Sequence, residues 1–197
     1  MPLSGALATH LTEPALRDLV SQLEQVTADA VRLTTGLSAE QFNWQPRPDS
    51  WSIAQCLAHL NATGAWYLPY LEAAAQQGRD RDLRGRGPFR HSAFWNWVLG
   101  LTEPPPKMRL PAPGRLVPPS NLDLDQTLTE FFTVQRRFLA CFEVADGLDL
   151  RRIKVRTPMT GWIRTTLLGG FAVMMAHERR HIWQAWQRRH DARYPSA

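Results

Sequence analysis

Residues 167–186 read LLGGFAVMMAHERRHIWQAW, and this stretch decides the fold. Its apolar residues recur at helical spacing. His177 and His181 stand four residues apart, which on a helix stacks both imidazoles on one face. The helix is expected to open near Thr165 or Thr166 and to run to about Arg189. Gly169-Gly170 is unusual in a helix and costs roughly 1 kcal/mol per glycine against alanine. Close approach of a neighbouring helix, or a one-turn break, would account for it.

Outward from this helix the same period recurs three times. Glu13–Gly36 carries Leu16, Leu19, Val20, Leu23, Val26, Ala30, Val31 and Leu33 at helical spacing, with Pro14 at the first turn and Gly36 as a stop. Leu37–Ser50, with Pro46 and Pro48, is expected to be an extended connection. A second helix opens at Ser52, where Ser52 and Gln55 spell a capping box with Trp51 as an entry staple. It carries His59 and ends about Gln77–Gly78. A third runs from Asp123 or Asp125 to about Glu143, with Phe131, Phe138 and Phe142 on its apolar side. Between them, Arg79–Asn121 is rich in proline and could hold one short helix, Phe94–Leu101. So long a connection in a compact domain suits a functional segment or a cover. No stretch reads as a convincing strand. The fold class is therefore all-α, an up-down four-helix bundle with a long proline-rich crossover. One domain is expected over residues 1–197, with its core at about 13–190 and the connection at 79–121.

Composition narrows the function. A hydrophobic share of 44% can fill a core, which excludes a disordered chain. Net charge is +5 and arginine dominates it, Lys107 and Lys154 being the only lysines. The arginines accompany no nucleic-acid motif, so nucleic acid is not the expected partner. Cys56 and Cys141 fall in apolar helical stretches and read as reduced, buried thiols. Neither a leader peptide nor a membrane-length apolar run is apparent, so a cytoplasmic location is expected. Eight tryptophans are many for one small core to bury, and a homodimer would cover some of them.

The histidines carry the chemistry. His59, His177 and His181 fall on helices that face the bundle interior, and imidazoles on facing helices are a common way to build a metal site. Three protein donors leave room for water or a substrate. The competing reading is a set of core or rim histidines without a metal. His10 and His91 read as surface positions, and His190, nine residues past His181, faces away. HERRH also spells the H-E-x-x-H pattern of zinc peptidases, with Glu178 in the general-base position. The peptidase reading fails on context. Only 16 residues follow His181, the chain continues IWQAWQRRH rather than HxxGxxH, and no strand-rich region precedes the helix. Glu178 remains a low-ranked acid/base candidate, with a salt bridge to an adjoining arginine the plainer expectation.

Three stretches together resemble one family. FNWQPRPDSWSIAQCLAHL (42–60), PPKMRLPAPGRLVPP (105–119) and TGWIRTTLLGGFAVMMAHERRHIWQA (160–185) are similar to the DinB-like (YfiT-like) superfamily of metal-dependent proteins. The resemblance covers about residues 13–190. It implies a four-helix bundle with a three-histidine site, hence His59, His177 and His181 as ligands of one divalent ion. Zinc or nickel leads, with iron or manganese as further options. Some members transfer low-molecular-weight thiols such as bacillithiol, or use mycothiol in isomerisation. The resemblance thus implies a metal-dependent thiol S-transferase acting on small electrophiles, with the thiol held as thiolate. Arginines could hold the carboxylates of such a thiol. Two other readings stand beside it: a non-catalytic stress-response binding protein with a structural metal, and a metal-dependent hydrolase.

Overall fold

The computed structural model describes residues 10–91, 93–105, 111–159 and 163–196. The N-terminal segment read for a leader, the Lys107 part of the proline-rich run and Gly161-Trp162 lie outside the described residues. Among the described residues the helices are α1 (Pro14–Thr34), α2 (Ala39–Asn43), α3 (Ile53–Asp80), α4 (Ala93–Thr102), α5 (Leu124–Ala145) and α6 (Leu167–Arg189). Two short strands, β1 (Lys154–Arg156) and β2 (Arg164–Thr166), pair antiparallel, with Val155 opposite Thr165.

Local chemistry explains the helix starts. The capping box at Ser52 and Gln55 forms as its sequence suggests, each side chain engaging the other residue's backbone N–H. A second box, Ser38 with Gln41, opens α2 inside the connection expected to be extended. That stretch spells the same S-x-x-Q pattern, and the five-residue helix ends before Pro46. Thr166 caps α6, its hydroxyl accepting from the Gly169 N–H at 2.9 Å. The two-stranded sheet was not expected. Its period-2 signal spans three residues per strand, and only the central residue of β1, Val155, is buried there.

The four long helices α1, α3, α5 and α6 form the bundle. Helices α1 and α6 run side by side in the same direction, since Gln22 meets Arg179 near their middles and Leu33 meets Arg189 at their ends. Helices α3 and α5 also run together, with Glu72 pairing Arg137 and the Arg79 side chain donating to the Val144 carbonyl. Trp51 before α3 meets Arg188 at the end of α6, so the two pairs oppose each other. The chain thus runs up, down, down, up. A long crossover between α3 and α5 is what two parallel neighbours require. Helices α1 and α3 each pack on both α5 and α6, which leaves α1 across one diagonal from α3 and α5 across the other from α6.

Two glycines let α3 close on its neighbours. A Cβ at Gly64 would lie 2.4 Å from the Val134 side chain of α5, and one at Gly170 would lie 2.8 Å from Leu71 of α3. The second is the close approach expected of Gly169-Gly170. Helix α3 also continues through Gly78 to Asp80, past the expected stop, and Ile153 and Leu148 pack where a Cβ at Gly78 would stand.

The interior is two apolar clusters. One holds Leu16 to Leu23 of α1, Leu68 and Leu71 of α3, Phe138 and Phe142 of α5 and Phe171 to Met175 of α6. The other holds Val26 to Leu33, Ile53 to Leu60, Phe131 and Ile182. Between them lie buried polar groups: Thr27 from α1, His59, Asn61 and Thr63 from α3, Gln135 from α5, and Glu178 and His181 from α6. This polar layer holds the candidate site.

Candidate metal centre

Helix α3 presents His59 and α6 presents His177 and His181. One ring nitrogen from each of the three lies within 4.8 Å of the other two. The Nε2 atoms of His59 and His177 are 3.2 Å apart. Two imidazoles on a tetrahedral ion at 2.0–2.1 Å would hold their nitrogens about 3.4 Å apart, so this separation fits a shared ion. His59 and His181 are buried, and His177 is partly exposed.

The segment after the proline-rich run orients His59. The carbonyl of Leu116, in the 3-10 turn Gly114–Leu116, lies 2.8 Å from His59 Nδ1. A carbonyl only accepts, so Nδ1 carries the proton and Nε2 presents its lone pair to the other two rings. Further contacts tie this segment to α3. Gln55 donates to the Pro118 carbonyl at 3.3 Å, and the Arg115 guanidinium sits 3.7 Å from the centre of the Trp66 ring. The end of the long connection, from Gly114 to Pro118, therefore lies against α3 beside His59.

Trp51 forms a wall. Its ring centre lies 4.7 Å from that of His59 and 5.7 Å from that of His181, nearly parallel to the latter. Arg188 donates to the Trp51 carbonyl at 3.0 Å and holds it there. Thr63, one turn beyond His59, places its hydroxyl 3.4 Å from His59 Nε2.

Electrostatics keep the rings neutral. Burial lowers His59 below its ordinary value, against the pull of the Leu116 carbonyl. His177 falls to about 3, through burial first and then the charges of His59 and Arg180. His181 falls well below its ordinary value for the same reasons, with His177 the larger neighbouring charge. Neutral imidazole is the ligand form. The buried Nδ1 atoms of His177 and His181 find no hydrogen-bond partner. Asn61 Oδ1, Gln135 Oε1 and Glu178 Oε2 are likewise buried without a partner, so the convergence of three neutral imidazole nitrogens, and not any unpaired atom, is what suits a donor set.

The remaining candidates fall elsewhere. Glu178 is 1% exposed and points across the diagonal to α5, where its carboxylate accepts from the Gln135 amide at 3.0 Å. The expected salt bridge to an adjoining arginine is replaced by this pair, because Arg179 turns outward to Glu103 and Gln22. Burial raises Glu178 to about 7. His190 stacks on Trp186 and stays outside the cluster, as its position on the helix requires. His10 is exposed, and neither it nor His91 joins the three. Cys56 and Cys141 are free and buried, their thiols pushed up to about 12 chiefly by burial, which matches inert core cysteines. The sequence offered no sign of the Leu116 carbonyl, since a backbone acceptor leaves no residue signature. Trp51 was legible only as a helix staple.

A family model, that of the DinB superfamily, matches residues 22–185. The chain belongs to the DinB superfamily. No curated protein and no solved structure matches it. The superfamily is metal-binding, and the three histidines of this member form a group that could hold a metal ion. No helix among the described residues is long and apolar enough to cross a membrane.

Proposed function

We propose that this DinB-superfamily protein holds one divalent ion through His59, His177 and His181 and uses it to transfer a small thiol onto an electrophilic carbon. The observation that carries the metal assignment is the convergence of three ring nitrogens within 4.8 Å, with the His59 tautomer fixed by the Leu116 carbonyl. The imidazole set suits zinc or nickel, and also iron. When bound, the ion supplies Lewis acidity that favours the thiolate, the nucleophilic form of a thiol.

The protein's own residues supply the rest. Trp51 closes one side of the site to water. Partly exposed His177 marks the side from which a small molecule would enter. Arg180, whose charge is felt at both His177 and His181, offers a guanidinium toward a carboxylate of the thiol. Among the described residues no acidic or thiol side chain joins the three histidines as a fourth donor. An open position favours a catalytic ion over a structural one. The pairing of Glu178 with Gln135 supports a structural role for that carboxylate over general-base hydrolysis.

Elemental analysis of the purified protein tests the metal assignment. About one divalent ion per chain is expected, and His59→Ala, His177→Ala and His181→Ala together should remove it. Full retention in that triple variant would overturn the site. The transfer reading is tested on cobalt-loaded protein, where 2-mercaptoethanol should produce a sulfur-to-cobalt charge-transfer band. Cobalt bound without any such band would leave a metalloprotein and remove the thiol.

A further inference from the structure

Helical threonines in this protein usually turn their hydroxyls back to the helix. Thr27, Thr34 and Thr133 each donate to the carbonyl four residues earlier, at 2.7, 2.8 and 2.9 Å. Thr63 departs from this habit. Its hydroxyl lies 3.4 Å from Nε2 of His59, the histidine four residues earlier. Thr63 is 5% exposed, so water does not offer it a ready partner. The proton on His59 is committed to Leu116, which leaves Nε2 as an acceptor and Thr63 as the donor.

That contact shares with His177 Nε2, at 3.2 Å, the lone pair a metal would take. Once His59 Nε2 ligates an ion, the Thr63 hydroxyl loses its acceptor while staying buried beside the ligand atom. A buried hydroxyl without a partner is costly. The three histidines leave the ion needing a further, exogenous ligand. We infer that the Thr63 hydroxyl donates a hydrogen bond to that exogenous ligand, and so positions whichever small anion or thiolate completes the three-histidine site. The inference rests on the metal assignment above and adds a residue that selects and orients what binds there. Thr63 is a positioning residue, acting on the bound molecule from α3 while the histidines hold the ion. A methyl in place of the hydroxyl keeps the shape and removes the donor, so Thr63→Val isolates the effect. Thr63→Ser restores the donor on a smaller side chain.

The test uses cobalt-loaded full-length protein, with azide as the probe. Cobalt content, visible absorption and the azide-dependent charge-transfer band are read separately. The wild type is expected to hold about one cobalt ion and to bind azide. Thr63→Val is expected to hold cobalt equally but to bind azide about tenfold more weakly, the scale of a lost hydrogen bond to a charged group. Thr63→Ser should recover most of that loss. Equal azide affinity in wild type and Thr63→Val overturns the inference. So does loss of cobalt from Thr63→Val, which would make Thr63 a ligand, and so does a wild type that binds cobalt but no azide. A wild type that binds no cobalt removes the metal assignment itself, and the inference with it.

Discussion

Helix α6 buries two kinds of polar group on two of its sides, and burial shifts their protonation in opposite directions. On one side His177 and His181 meet His59, and two of their ring nitrogens have no partner. On the other, Glu178 reaches across the bundle, where one carboxylate oxygen accepts from the Gln135 amide while the second, like Gln135 Oε1, has no partner. His177 and Glu178 are adjacent in sequence, but one step along a helix turns the side chain by about 100°. The step takes it from the α3 side to the α5 diagonal. In a zinc peptidase the same H-E-x-x-H spacing serves a carboxylate that works beside the metal. Here the packing of α5 claims the carboxylate, and the histidines are left to a partner from α3. The difference teaches that the spacing fixes which residues share a face, while the neighbouring helices decide what each face is for.

The two sides should pull acid stability in opposite directions, and this is the largest expected effect. In the metal-free protein His59, His177 and His181 all bind protons less readily than at their ordinary value of 6.5, with His177 down to about 3. The unfolded chain takes up those protons first as pH falls below 6.5, so the histidine side loses stability between pH 6.5 and about 3. Glu178 does the reverse. Its folded value of about 7 lies above the ordinary 4.5, so the folded chain gains relative stability as pH falls from 7 to 4.5. Three groups outweigh one. The thermal midpoint of the metal-free protein is expected to fall on the order of 5–10 °C between pH 6.5 and 5. Glu178→Gln removes the opposing contribution and should steepen that fall. A midpoint that rises on acidification, or a shallower slope in Glu178→Gln, would break the contrast between the two sides.

How much of this was legible beforehand follows from the same geometry. The four long helices were readable because each carries a sustained 3.6-residue apolar period and a cap. Ser52 with Gln55 even fixed the start of α3. The i, i+4 spacing put His177 and His181 on one face, and the family resemblance added His59 as their third partner. What remained hidden is non-local. Helix α2 is too short for periodicity, and β1 and β2 pair across a link whose strands are three residues each. The close approach of α5 to α3 at Gly64, where a Cβ would meet Val134, is something composition does not reveal. The hydrogen bond that sets the His59 tautomer comes from a carbonyl 57 residues away. The Gln135 partner of Glu178 lies 43 residues back on another helix, so a salt bridge to its own neighbours looked simpler.

The Glu178 side can be broken directly. Glu178→Ala would leave the Gln135 amide buried without its acceptor and open a void in the polar layer. A loss of about 1–3 kcal/mol in unfolding free energy is expected. Urea denaturation measures it. Metal content should stay near that of the wild type, because the carboxylate stands apart from the three histidines. A variant that keeps its stability but loses its metal would put Glu178 on the histidine side after all and undo the comparison.

The histidine side depends on something the Glu178 side lacks, a backbone acceptor lent by the segment from Gly114 to Pro118. That segment is held partly by Arg115 over Trp66, at 3.7 Å from the ring centre. A cation on an aromatic face at a partly exposed site contributes about 0.5–1 kcal/mol. Arg115→Ala should therefore change global stability little. It should, however, loosen the Leu116 carbonyl from His59 Nδ1, and a metal ligand whose second nitrogen loses its acceptor binds less firmly. A fall of a few-fold in metal affinity is expected, measured by competition with a chelator of known strength. Together with Glu178→Ala the two variants form a crossed pair: one lowers stability and spares the metal, the other lowers metal affinity and spares stability. If Arg115→Ala left affinity unchanged, Gln55 and Pro118 alone would suffice to seat that segment. The orientation of His59 would then belong to α3 and the start of the loop, and Arg115 would do no more than shield Trp66.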